Sequence, residues 1–192
     1  TMAYHGSIPH AAKPPNPPPH KGLLRRKLTG AAFARSASKG THLTTLPLPP
    51  AIVRLRHETR RRILTVVAVR RVTPNMIRIS LSGEDLDGFT SLSPDDHVKL
   101  FVPAAETGKE PQMRDYTPRH FDAARRVLTI DFAVHDAGPA TAWALAAQPG
   151  DWVQIGGPRG SQVITGPVQH WLLIGDETAL PAIGRRIEEA AV

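Results

Sequence analysis

The chain has no cysteine. Disulfides, thiolate metal sites and cysteine nucleophiles are excluded by that alone, and a reducing compartment is the natural setting, so a cytoplasmic location is expected. Aromatic residues make up only 5%, so a tyrosine or tryptophan set among polar groups stands out. No apolar run approaches the ~18 residues of a membrane span, and no transmembrane segment is expected. Acidic residues are nearly missing from the first third. Residues 1–62 hold 12 Lys+Arg against one acid, Glu58, a net +11, whereas residues 63–192 hold 12 Lys+Arg against 16 acids, a net −4. The overall +7 therefore belongs to the N-terminal stretch, and no specific nucleic-acid partner is implied for the remainder.

Residues 1–62 read as a disordered, basic, proline-rich leader. KPPNPPPH (13–20) favours a solvated polyproline II segment, and Pro47, Pro49 and Pro50 break any helix or central strand. His5, His10 and His20 are scattered without metal-ligand spacing. Residues 23–39 place basic side chains among Leu, Ala and Ser, which suits a weak basic helix at a membrane surface or a targeting segment. Arg25-Arg26 invites a twin-arginine reading, but the apolar stretch that follows is short and contains Arg35.

Order is expected from Ile63. ILTVVAVRRVT (63–73) is rich in β-branched residues, and MIRISLS (76–82) alternates apolar and polar with period two; Thr73-Pro74-Asn75 makes them a hairpin. Residues 84–94 read as an acidic loop. HVKLFV (97–102), residues 114–117, 127–135 and 151–155 supply four further strands. The expected fold is mainly β, a six-stranded antiparallel barrel over 63–167 with one helix, followed at 168–192 by the start of an α/β domain. The helix is Ala140–Ala147, preceded by Gly138-Pro139, with Pro139 suited to the first helical position. A helix start bordered by small residues can receive a phosphate on its free N–H groups; a capped helix packing Trp143 and Leu145 inward is the plainer alternative. Residues 171–174 read as a strand, 175–178 as a turn and 179–191 as a helix. One strand and one helix are too little for a doubly wound domain. The turn lacks a G-x-G-x-x-G fingerprint, and Asp176 and Glu177 would repel a phosphate there, so that segment is not read as a phosphate site.

RDYTPR (114–119) concentrates the chemistry. If extended, Arg114 and Tyr116 share one face and Asp115 and Thr117 the other. Arginine offers a planar fork of donors for phosphate, tyrosine a flat ring for stacking, and threonine a small hydroxyl. A flavin dinucleotide, with a flat ring and a phosphate tail, calls for all three. The ordinary reading is a strand end with a surface arginine and a half-buried tyrosine.

HVKL (97–100), RDYTPR (114–119), VHDAGPATAW (134–143), GGPRGS (156–161) and LLIGDETALPAI (172–183) stand in one order. Together they resemble the siderophore-interacting protein family, the FAD-dependent ferric-siderophore reductases, over about residues 63–192. The resemblance implies a ferredoxin-reductase-like layout, an FAD-binding barrel followed by a domain for NADPH or NADH. It assigns Tyr116 to the isoalloxazine or ribityl chain, Thr117 to the reactive ring edge and Arg114 to the pyrophosphate. His135, Gly138, Pro139, Ala140 and Trp143 would close over the phosphates and adenosine end, with Glu177 and Thr178 near the flavin on the side of the second domain. Lys99 and Arg159 are candidates to hold an anionic ferric siderophore. The implied reaction passes electrons from NAD(P)H through FAD to Fe(III), whose reduction loosens it from an oxygen-rich chelator. No catalytic base and no protein metal ligand is implied. The short C-terminal segment leaves a second expectation open, an FAD-binding module without NAD(P)H-dependent turnover.

Overall fold

The structure, a computed structural model, describes residues 49–102, 111–135 and 138–190. The described residues belong to one compact unit. Most of the expected leader, residues 1–48, lies outside them.

Nine antiparallel strands, two α-helices and one short 3-10 turn (Glu84–Leu86) are found among the described residues. They are β1 (Ala51–Arg56), β2 (Arg61–Thr73), β3 (Met76–Ser82), β4 (Val98–Val102), β5 (Gln112–Tyr116), β6 (His120–Asp122), β7 (Val127–Ala133), α1 (Pro139–Ala146), β8 (Trp152–Gly156), β9 (Gly160–Thr165) and α2 (Leu180–Ala190). Seven strands form one sheet in the order β5-β4-β8-β2-β3-β7-β6, and β1 pairs with β9 in a second, two-stranded sheet. The long β2 explains the curl. Its first half, Arg61 to Thr65, pairs with β8, a bulge falls between Val66 and Ala68, and its second half continues on β3. A bulge adds a residue on one side of the ladder and bends the strand.

Period two fills the barrel. Ile77, Ile79 and Leu81 of β3 point inward beside Leu128, Ile130 and Phe132 of β7, and all are buried. Burial of such side chains contributes about 1.5–3 kcal/mol each. The polar residues between them, Arg78 on β3 and Asp131 on β7, fall opposite one another on the outer face.

Four expectations need correction. The curled antiparallel sheet is as expected but has seven strands, because β6 joins β7 at its edge, and β1 and β9 pair in a separate sheet. The leader does not run to residue 62. Ile52, Val53 and Leu55 alternate with Arg54 and Arg56 in a strand whose partner lies a hundred residues away, and Arg61 and Arg62 already belong to β2. Residues 84–94 are more than an acidic loop, since Leu86 and Phe89 enter the core and Asp96 gathers the segment by accepting from Leu92 N, Ser93 N and Ser91 Oγ. Residues 171–174 form no strand, because no neighbouring strand among the described residues offers them a ladder.

The β1–β9 contact is close. A Cβ on Gly160 would lie 2.3 Å from the Leu55 carbonyl oxygen, so only glycine permits this approach. Arg62, buried, donates to the Gly157 carbonyl at 3.1 Å and anchors the turn between β8 and β9. A chain starting at residue 63 should therefore melt at least ~5 °C below one starting at residue 49. Thermal unfolding of the two would check this; equal melting temperatures would mean that β1 and the first two residues of β2 contribute nothing.

Candidate functional site

The open edge of the main sheet sets the site. Among the described residues β5 pairs only with β4, through Val98 with Tyr116, Lys99 with Asp115 and Leu100 with Arg114. Its far end comes up against β7 without a ladder between them. At that seam lies a cleft with a cavity volume of about 200 Å³. Its wall brings together Arg114, Tyr116 and Thr117 from β5 and its end, His135 after β7, and Glu177 and Thr178 before α2.

Tyr116 is half-buried. Its ring packs on Phe132 with centroids 4.4 Å apart, and Phe132 in turn meets Trp143 at 5.7 Å. One side of the tyrosine ring is thus fixed by the core. Burial pushes its phenol above the ordinary value, partly countered by the Arg114 charge. Arg114 is exposed, and among the described residues its guanidinium reaches only its own strand, donating to Met113 O at 2.8 Å and Gln112 Oε1 at 3.2 Å. Among the described residues no carboxylate lies within ion-pair distance of it. Thr178 is held by Asp176, whose carboxylate accepts from the Thr178 hydroxyl at 2.6 Å and its N–H at 2.9 Å. These bonds hold the Asp176 carboxyl below the usual carboxylate range.

The remaining candidates do not line this cavity. Gly138 caps α1 with extended backbone and no side-chain cap, and Pro139 occupies the first turn. Ala140 is buried in the core. Trp143 packs against the core cluster, as the plainer reading expects, whereas Leu145, expected inward with it, is exposed. Lys99 forms an ion pair of 2.7 Å with Asp115 across the β4–β5 ladder. Arg159 is exposed in the β8–β9 turn, where its carbonyl accepts from His57 N at 3.0 Å.

Sequence reasoning did not assign Asp115, Asp131, Ala133 and Pro181 to the site, and they also line the cleft. Asp131 carried a signal: a carboxylate inside the apolar run VLTIDFA, opposite an arginine on the paired strand. Arg78 grips it with a two-pronged fork, both bonds 2.7 Å, and that carboxylate raises the Arg78 guanidinium above its ordinary value. Arg119 approaches Asp131 from the other side at 3.7 Å and reaches on to Glu188 of α2. Hydrogen bonds from Arg119 hold the Glu188 carboxyl below its usual range.

Comparison with known proteins agrees with this geometry. The family profile described as "Siderophore-interacting FAD-binding domain" matches residues 65–109 and 103–162. The chain is similar to the NADPH-dependent ferric-chelate reductase of Escherichia coli (strain K12), 43% identical over 151 residues that cover 70% of this chain and 59% of that protein. It is 34% identical to the ferric vibriobactin reductase ViuB of Vibrio cholerae over 67% of this chain and 54% of that one. Among solved structures, a siderophore utilization protein from T. fusca superposes with a TM-score of 0.66 at 44% identity, over 73% of this chain and 59% of that one. The chain thus spans between half and three-fifths of the length of these relatives. With the family profile lying across β2 to β9 and the cleft set at their seam, the chain belongs to the family of siderophore-interacting FAD-binding domains.

Proposed function

We propose that this chain is the FAD-holding part of a ferric-siderophore reductase that draws its electrons from NADPH or NADH. The observation that carries the reading is the cleft itself, where an arginine fork without a carboxylate partner among the described residues, a half-buried tyrosine ring and a threonine hydroxyl stand on one strand end. These groups fit the cofactor's parts. Arg114 would take the pyrophosphate, Tyr116 the flat ring or ribityl chain, and Thr117 the polar edge. Glu177 and Thr178 would approach from the side of the nicotinamide domain whose start is residues 168–192. The N-terminal turn of α1, led by the half-buried Gly138 and Pro139, would receive the phosphates and adenosine end, with His135 at the cleft wall. When bound, FAD supplies the conversion of a two-electron donor into one-electron reduction of Fe(III). The protein's own part is to bind, orient and shield.

The ferric siderophore is the substrate, and Lys99 and Arg159 are the cations that would meet an anionic one. Lys99 is free to do so at small cost, because an exposed pair such as Lys99–Asp115 is worth about 1 kcal/mol or less. The cytoplasm is the compartment this reading requires, as the source of NAD(P)H. Anaerobic titration of the FAD-loaded chain with NADPH tests the enzymatic reading. Bleaching of the flavin absorption supports it; an FAD-loaded chain that stays yellow is a binding module only.

Three outcomes are expected of variants. Arg114→Ala removes a charge-assisted contact of about 1.5–3 kcal/mol and should weaken FAD binding about 10- to 100-fold; fluorescence titration reads it, and unchanged affinity in a folded variant rejects the assignment. In a Tyr4→Phe background Tyr116 is the one tyrosine. Its phenolate absorbance should rise with a midpoint above the ordinary ~10. Because the folded value is raised, the associated stability is present below the unfolded value and is lost as pH climbs through the folded one. A midpoint at or below ~10 contradicts that. Arg159→Ala should weaken an anionic ferric complex more than Lys99→Ala does, since Asp115 already offsets Lys99, and neither should affect a neutral complex. Equal losses for charged and neutral complexes would remove the electrostatic substrate site.

A further inference from the structure

We propose that Arg119, with Gly184 beneath it, is a positioning residue for the cofactor cleft. It holds α2 against the barrel and thereby sets the turn carrying Glu177 and Thr178 opposite Arg114 and Tyr116. The cofactor half of this proposal rests on the flavin reading above; the clamp itself does not. Arg119 closes RDYTPR, the stretch read at sequence level as a cofactor strand, yet it does not line the cleft. Its guanidinium is 11% exposed and spans two elements. One side faces Asp131 of β7 at 3.7 Å, while Nη1 donates to Glu188 Oε2 of α2 at 2.6 Å and Nη2 to Glu188 Oε1. The planar fork suits a carboxylate in two-pronged contact, which a lysine cannot reproduce.

The helix is shaped for this contact. A Cβ on Gly184 would lie 3.2 Å from Arg119 Nη2, 3.4 Å from Nε and 3.5 Å from Cζ. The guanidinium lies along the helix where a side chain would otherwise stand. With Asp131 and Glu188 on either side, it has little room to give. One residue further on, Arg185 crosses the joint in the opposite direction. It donates to Pro118 O at 3.0 Å, Ser91 O at 2.9 Å and Ser91 Oγ at 2.7 Å. The residue before Arg119 is thus held by the helix, and the helix is held by Arg119. An isolated helix of this length is marginal in water, so its docking decides its order.

The link from helix to cleft is short. Ile183 N bonds to Ala179 O at 3.0 Å, Ala179 N to Asp176 O at 3.1 Å, and Thr178 is tied to Asp176. Pro181, in the first turn of α2, lines the cleft itself. Movement of the helix therefore moves the wall that faces Tyr116.

The test compares Arg119→Ala, Arg119→Lys and Gly184→Ala with the unaltered chain. Arg119→Ala leaves no buried charge orphaned, because Asp131 keeps its fork from Arg78 and Glu188 is largely exposed, so folding should survive. Hydrogen exchange without cofactor should be at least ~10-fold faster across residues 177–185 in Arg119→Ala, intermediate in Arg119→Lys, and unchanged in β3 and β7. Gly184→Ala gives the sharper sign. Alanine raises intrinsic helix propensity and would slow exchange if propensity alone mattered; displacement of Arg119 makes it faster. With FAD bound, affinity should stay within about threefold, since Arg114 and Tyr116 are untouched, an allowance well under one decade. Collisional quenching of flavin fluorescence by iodide should rise as the wall loosens.

Unchanged exchange in Arg119→Ala, or slower exchange in Gly184→Ala, overturns the clamp. Faster exchange with unaltered iodide quenching overturns its bearing on the cleft. If the unaltered chain takes up no FAD, the functional reading above fails, and exchange still decides whether Arg119 holds the turn.

Discussion

A buried carboxylate with two arginines governs this structure. Asp131 is 7% exposed on the outer face of β7, where an unpaired charge would cost several kcal/mol. Arg78 satisfies it from the neighbouring strand, which fixes the register of β3 on β7. Arg119 adds a second cation from the segment following β5. Because β5 has no ladder to β7, this contact, with the Arg119 N–H bond to Thr129 O at 2.9 Å, ties the RDYTPR stretch to the far side of the seam. The same guanidinium passes the constraint to α2. The two walls of the cleft are thus indexed to one carboxylate.

The joint between α2 and the barrel is polar where an apolar one would be simpler. Arg119, at 11% exposure, meets Glu188, at 62%, across it, so this pair has a dry end and a wet end and its desolvation cost is partial while the geometry stays directional. Arg185, at 10% exposure, pairs with Glu189 within α2 and crosses the joint through the Pro118 and Ser91 carbonyls and the Ser91 hydroxyl. By contrast Leu172, Ile174 and Ile187 stand exposed, so the apolar residues of this C-terminal stretch are not what fastens it. Lys99–Asp115 belongs to a third class. With 37% and 50% exposure it contributes little to stability, which leaves the lysine available at the rim.

What the sequence disclosed follows from how local each signal is. MIRISLS carries a complete period-two alternation and becomes β3 with those bounds. Pro139 marks the first turn of α1. The signals that failed depend on partners remote in sequence. AIVRLR becomes a strand only because β9 lies beside it, and WLLI, as apolar as any strand in the chain, stays without a ladder for want of one. At the site, Arg114, Tyr116 and Thr117 could be grouped from spacing, and the motif order brought in Glu177 and Thr178. Asp131 stands out locally as a carboxylate within VLTIDFA, but its pairing with Arg78 and the position of Arg119 are not legible in the sequence. They require knowing that β3 and β7 are adjacent and that α2 contacts the segment after β5. Lys99 likewise looked like a free cation until the β4–β5 register set Asp115 opposite it.

Trp143, which the motif order assigns to the adenosine end of a cofactor, packs on Phe132, which packs on Tyr116. The three rings form a row from α1 through the core to the cleft, at centroid distances where aromatic pairs attract beyond their buried area. The row leaves Tyr116 one face committed to protein and sets the height at which its ring edge meets the cavity. A ligand stacking there meets a surface held from behind, with little rotamer freedom left to lose on binding. The tryptophan therefore acts on the cleft through two other rings, and the same few aromatics of a ring-poor chain serve both core and site.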